Sequence, residues 1–447
     1  MKYKQNKDNL SKLISKVIAL GGNKIWSMSK DNAEYVRNKR LLESKHLKLN
    51  LFNDALFSLA EARLKENDSF DKWNKKRYIA VIDGSEIRKP HSSSSKYLQS
   101  VRALNGDTVN GYRSTGTVLL AEDNSEVILF EQDVFSCHET NYLSDNDKAL
   151  KAMKKVIKLN NSIKSKVTFV LDRYYDTLEF MSFLQSKKQE FIVRVSHKNR
   201  KVTYLTKPIK TNLPLTEEKK EELLTPKVKT CDIAAFPIKK EFVERYESVK
   251  LKKGTYKDVR TKYSYYEVLI ESRDKEDIKN ISGTVIEVKM KQGTSPNDIY
   301  KESMLLFINK TNLTEEEVKD TYFRYLQRFG IETVYKFMKN TLHLEKFQSR
   351  DFESIKKLIA ITFFSAAYFY LTKRQVLENP VLEKRIFQIC QLGRGKGETG
   401  PIHLQRGLES MINHFLVSNW QKEYDVSDEE LKEIMEYFGY GWVFKKC

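Results

Sequence analysis

Cysteine is scarce and scattered. The four are Cys137, Cys231, Cys390 and Cys447, and no two have the C-x-x-C spacing of a zinc or redox site. That argues against a cysteine-held zinc, and the thiols are expected to be reduced, as in a cytosolic protein. Histidine is no richer in pattern. His46, His91, His138, His197, His343, His403 and His414 fall into no H-x-E or H-E-x-x-H order, which removes the common histidine–zinc catalysts. The G-x-S-x-G and Rossmann glycine patterns are missing too, so neither a nucleophile elbow nor a dinucleotide site is signalled. The stretch Gly393 to Gly400 is glycine-rich, but it lacks the G-x4-G-K-[ST] order and follows no strand; it reads as a flexible loop. There is no long apolar run. The longest, Leu358 to Leu371, lies between Lys357 and Lys373. It falls short of the roughly 20 residues a membrane helix needs and reads as a buried helix. Met1-Lys2-Tyr3-Lys4-Gln5 leads into no signal-peptide core. The expectation is a cytoplasmic protein with no membrane partner.

Positive charge is abundant. Lysine and arginine number 79 against 60 acids, a net charge of +19, with a pI near 9.4. This fits a polyanion whose phosphates the cations neutralise, although a membrane surface or an acidic protein would also be attracted. With 40% hydrophobic and 11% aromatic residues, the chain is no disordered basic tail. Its 447 residues suffice for two or three domains.

Three acids stand out. Asp83 ends the run Tyr78-Ile79-Ala80-Val81-Ile82, and Asp172 ends Val167-Thr168-Phe169-Val170-Leu171. Each run is short, nearly all apolar and rich in β-branched or aromatic residues, as expected of strands covered on both faces. Ligands of open α/β sheets bind just beyond such strand ends. The third acid is on a helix signalled by the capping box Thr314–Glu317 and the apolar row Val318, Tyr322, Tyr325. Tyr325, Arg328, Glu332 and Lys339 fall within about 60° of one another at helical spacing. Oxygen donors of this kind suit Mg²⁺, and two such ions can serve phosphoryl transfer. A capping role for each Asp and an ordinary i,i+4 ion pair for Arg328–Glu332 are the plainer alternatives.

These residues resemble the DDE transposases of bacterial insertion sequences, in the branch with the Y-x2-R-x3-E-x6-K signature (insertion sequence family four). Tyr325, Arg328, Glu332 and Lys339 match that signature at every position, and Asp172-Arg173-Tyr174-Tyr175-Asp176 matches D-R-x-x-D. Asp83-Gly84-Ser85 is similar to the segment at the first acid. The resemblance implies an RNase H-like fold and a metal-binding catalytic triad of Asp83, Asp172 and Glu332, served by Mg²⁺ with Mn²⁺ as substitute. Tyr325, Arg328, Lys339 and Arg173 would contact DNA. The partners implied are terminal inverted repeats, target DNA and, in the synaptic complex, a second copy of the chain; the setting is the bacterial cytoplasm, on the nucleoid. Some relatives flip a base onto an aromatic probe. No Trp occurs between Trp73 and Trp420, so Tyr263, Tyr265 or Tyr266 would have to serve here. The alternative is an inactive or domesticated relative that binds such ends without cutting them.

The expected fold class is α/β. Residues 1–77 are expected to form a basic helical region, with 18 cations to 9 acids, either a DNA-binding module or a solvated helical scaffold. An RNase H-like core of mixed sheet and flanking helices fills 78–197 and 301–375, the second part carrying the signature helix. A strand-rich insertion at 198–300 interrupts it. A helical region is expected at 376–447, which by the resemblance would support dimerisation, and it includes a second capping box, Ser427–Glu430. Gly21-Gly22 is expected to break the first helix, and Glu217 to Leu224 to form a charged helix or loop.

Overall fold

The computed structural model describes residues 4–20, 24–25, 29, 31–70, 75–123, 125–205, 228–237, 239–251, 254–270, 280–292, 303–377, 379–381, 384, 401–407, 427 and 429. Gly21-Gly22, Glu217 to Leu224, Gly393 to Gly400, Glu430 and most of 376–447 lie outside them. The chain divides into two compact units. One comprises residues 53–93 and 97–335, the other residues 1–52, 94–96 and 336–447.

The larger unit is a mixed α/β structure built on one sheet. Its centre is β1 (Tyr78–Arg88), flanked on one side by β3 (Thr108–Ala121) and on the other by β5 (Thr168–Leu171). β3 runs antiparallel to β1 and continues outward to β4 (Val127–Phe135) and β2 (Gln99–Arg102). β5 and then β6 (Phe191–Arg194) run parallel to β1. β5 and β6 are short and mostly apolar, with Thr168 at the start of one and Arg194 at the end of the other, as suits strands covered by helices. A period of two sends Tyr78, Ala80, Ile82, Phe169 and Leu171 to one face. There they join Ala60 and Leu64 of α3 (Asn50–Ser69), Met153 and Val156 of α4 (Asp145–Ser162), and Phe180 and Leu184 of α5 (Leu178–Ser186). α6 (Glu315–Gln327) lies against β5 and β6. This mixed sheet between helices is the RNase H-like arrangement expected from the sequence.

The strands of residues 198–300 extend the same sheet. Beyond β6 the order is β12 (Met304–Ile308), β11 (Ile281–Gln292), β10 (Gly254–Ile270), β7 (Lys201–Leu205) and β8 (Val228–Asp232), with β9 (Lys240–Leu251) also paired to β10. Tyr263 is fully buried there, stacked on Phe242 at 4.9 Å with its hydroxyl 3.0 Å from that of Tyr246. Tyr265 and Tyr266 are buried as well, but both line a cavity of about 630 Å³ with Tyr204, Phe236 and Lys240.

In the smaller unit, α1 (Lys4–Leu20), α2 (Asn32–Glu43) and α8 (Phe352–Leu377) pack together. Lys357 of α8 is buried and donates to Leu42 O and Ser44 O at 2.7 and 2.9 Å, satisfying carbonyls at the end of α2. α8 is longer than the apolar run suggested. Among the described residues it is the one helix long and apolar enough to cross a membrane, and 72% of its most apolar window is buried in the protein, as expected of a core helix.

Candidate active site

The β1–β5 ladder pairs Ile79 with Thr168 and Val81 with Val170. Two residues further along both strands, the same register sets Asp83 against Asp172. Both acids therefore leave the sheet on the face opposite Ala80 and Leu171. Asp172 ends β5, as expected, and its carboxylate accepts the Arg173 N–H at 2.7 Å to cap a short 3-10 turn over Arg173–Tyr175. Asp83 does not end its strand. β1 continues to Arg88 because β3 pairs with it as far as Arg88↔Gly111.

The signature residues do not share one helix. α6 stops at Gln327, and α7 (Gly330–Asn340) begins after a tight turn in which Arg328 N–H donates to Tyr325 O and Ile331 N–H to Arg328 O. Close packing accounts for the glycine at the restart. A Cβ on Gly330 would lie 2.8 Å from Leu120 Cδ1 of β3. The capping box at Thr314–Glu317 is formed as expected.

The break places Arg328 among the three acids. Its guanidinium stands 3.3 Å from Asp83 Oδ2, 3.9 Å from Asp172 Oδ2 and 3.5 Å from Glu332 Oε1. It is only 5% exposed and lies over the Phe329 ring at 4.8 Å. Its Nε is buried with no hydrogen-bond partner. Tyr325 is fully buried and donates to Asp172 Oδ1 at 3.4 Å. Burial pushes the Asp83 carboxyl up to about 6; Arg328 pulls against that rise, and the charges of Asp172 and Glu332 add to it. The acids in turn hold the Arg328 charge above its ordinary value despite burial.

Arg173 is exposed one residue past Asp172. Lys339, at the far end of α7, pairs with Glu345 at 3.4 Å. Among the described residues no group of three or more His, Cys, Asp or Glu could hold a metal ion as placed. The donor chemistry suits a hard divalent cation, but in this arrangement the acids surround a guanidinium.

Two further residues brace the site, and the spacing did not single them out. Asp176, the closing acid of D-R-x-x-D, is fully buried. Its carboxylate accepts from Arg200 Nη1 at 2.5 Å and from the backbone N–H groups of Ser196 and His197 at 2.7 and 3.1 Å. It thus ties the turn after Asp172 to the loop after β6. Its one signal was the D-R-x-x-D match; a buried acid must find partners, but spacing does not show burial. The second is Tyr335, whose hydroxyl donates to the Asp83 main-chain carbonyl at 2.9 Å. Nothing in its spacing separates it from a core aromatic.

The RNase H-like sheet thus carries two acids on neighbouring strands, with a third on a helix beside them. The transposase DDE domain model matches residues 74–368, and the chain belongs to that family. No curated protein matches the chain.

Proposed function

We propose that this transposase cuts DNA at the 3′ ends of an insertion sequence and joins the freed 3′ hydroxyl to target DNA, as a member of the branch with the Y-x2-R-x3-E-x6-K signature. The observation that carries this reading is the convergence of Asp83, Asp172 and Glu332 on one guanidinium. Three acids in one partly buried place have no structural need to be there, and each adds repulsion that a bound cation would relieve.

Asp83, Asp172 and Glu332 would hold Mg²⁺ or Mn²⁺. When bound, such ions activate the attacking oxygen and stabilise the leaving one. Arg328 stands in the space among these acids, so loading requires its guanidinium to exchange carboxylates for another anion. A DNA phosphate fits, since Nε already lacks an acceptor and guanidinium binds phosphate in a bidentate manner. Tyr325, which meets Asp172 in this state, would follow Arg328 toward the phosphate. Arg173 and Lys339 would hold flanking DNA. In the first step water attacks the scissile phosphorus and the 3′ oxygen leaves; in the second that 3′ hydroxyl attacks a target phosphodiester. Residues 1–77 would bind the terminal inverted repeats, and residues 376–447 would support the homodimer that pairs two ends, in the cytoplasm on the nucleoid.

The test is cleavage of the DNA that flanks the gene, by purified protein with Mg²⁺ or Mn²⁺, beside Glu332→Ala. Cuts at the element's own termini that vanish in the variant support the reading. Tight binding to those termini without cutting by either protein supports a DNA-binding relative instead, and cutting indifferent to the termini supports a general nuclease.

A further inference from the structure

Tyr335 belongs to no motif, yet it ties the helix of Glu332 to the strand of Asp83. It lies three positions after Glu332 on α7, so the two side chains are neighbours on the helix surface. Tyr335 is buried, and its hydroxyl donates to the Asp83 carbonyl oxygen at 2.9 Å. Across the β1–β3 ladder the partner of Asp83 is Gly116. A Cβ on residue 116 would strike Tyr335 Oη and would sit 3.0 Å from Gln132 Oε1. Its neighbours on β3, Thr115 and Thr117, both carry side chains. The missing Cβ leaves a notch in the sheet, and the hydroxyl fills it.

We propose that Tyr335 and Gly116 act as a peg and notch that sets the separation of Asp83 from Glu332, which makes Tyr335 a positioning residue for the metal-dependent cleavage proposed above. The inference rests on that reading. A phenylalanine would bury nearly the same apolar surface. Apolar contact is non-directional, and a bare ring can slide over a sheet at little cost. The hydroxyl adds one fixed point, and that point is on residue 83 itself. A misplacement of about 1 Å in a reacting group costs on the order of 100-fold in rate.

The experiment compares wild type, Tyr335→Phe, Gly116→Ala and the double variant, with Glu332→Ala as the inactive control. Mn²⁺ binding is read by calorimetry without DNA, cleavage of end-containing DNA is titrated with Mg²⁺, and melting and DNA affinity are measured alongside. Tyr335→Phe is expected to keep DNA affinity, to bind Mn²⁺ more weakly and to cut roughly 10- to 100-fold more slowly at saturating metal. Gly116→Ala is expected to behave similarly. The double variant is expected to be no worse than Gly116→Ala alone, because the hydroxyl that the new Cβ would strike is gone. Wild-type Mn²⁺ binding and rate in Tyr335→Phe would overturn the proposal. So would additive losses in the double variant, or a loss explained wholly by a smaller folded fraction. A wild-type protein that neither binds Mn²⁺ nor cuts brings down the functional reading and this inference with it. A wild type that cuts, beside an indifferent Tyr335→Phe, brings down this inference alone.

Discussion

Removing the Asp176 carboxylate should release the turn behind Asp172. In Asp176→Ala, the Arg200 guanidinium, only 12% exposed, loses its partner at 2.5 Å. The Ser196 and His197 amides lose their acceptor as well. Breaking a buried ion pair by deleting one member costs about 3–5 kcal/mol. The lower end applies, because Arg200 keeps its 2.8 Å bond to the Asp176 carbonyl. A cost of about 3 kcal/mol raises a local opening equilibrium by on the order of 100-fold. Hydrogen exchange reads this directly, since two of the lost bonds are amide bonds. The Ser196 and His197 amides are expected to exchange roughly 100-fold faster in Asp176→Ala, with little change in β1. Adding Arg200→Ala removes the stranded charge, so the double variant should recover part of the protection. Exchange within about threefold of wild type at both amides would refute the reasoning: the network would then be a consequence of the fold and not one of its supports.

Two further outcomes follow from the same geometry. The Asp83 carboxyl is raised to about 6 in the folded protein, so the folded state holds this proton more tightly than the unfolded chain. Its stabilising contribution is complete below about pH 4 and is lost as pH rises through about 6. In thermal melts without metal, Asp83→Asn should flatten that decline and be more stable than wild type at neutral pH, by on the order of 2 kcal/mol; an equal or lower stability would contradict it. Gly330→Ala sets a Cβ 2.8 Å from Leu120 Cδ1. The overpacking, about 1–3 kcal/mol, exceeds the roughly 1 kcal/mol gained in helix propensity. The melting temperature should fall, and Leu120→Val in the same chain should restore part of the loss.

The acids were legible because a strand covered on both faces must be apolar until it leaves the core, and a charge marks the exit. That logic located Asp172 correctly. It misjudged the end of β1, because the polar half Gly84-Ser85-Glu86-Ile87-Arg88 is held by pairing with Gly111–Thr115 of β3 and not by apolar cover. Helical spacing also could not show the break at Arg328. The spacing of Tyr325, Arg328, Glu332 and Lys339 suits one helix, and the close approach of Gly330 to Leu120 just past the break is a tertiary contact that spacing does not carry. The sheet order beyond β6 was hidden for a related reason. The sequence marked 198–300 as strand-rich, but β12 returns beside β6 before β11 and β10 take their places, and local pattern does not encode that order.

The register between β1 and β5 also limits how the site can be adjusted. Inserting one residue between Tyr78 and Asp83 would turn the acid to the other face of the sheet, and inserting two would restore the face but carry it about 6.6 Å along the strand. The separation of Asp83 and Asp172 can therefore change only in coarse steps. Glu332 rides on a helix, where one residue is a rise of about 1.5 Å and a turn of about 100°, and small shifts of the whole rod lie between those steps. In such a site the two strand acids act as a fixed jaw and the helix acid as the movable one, so any fine tuning of the gap has to be found in the packing of α7.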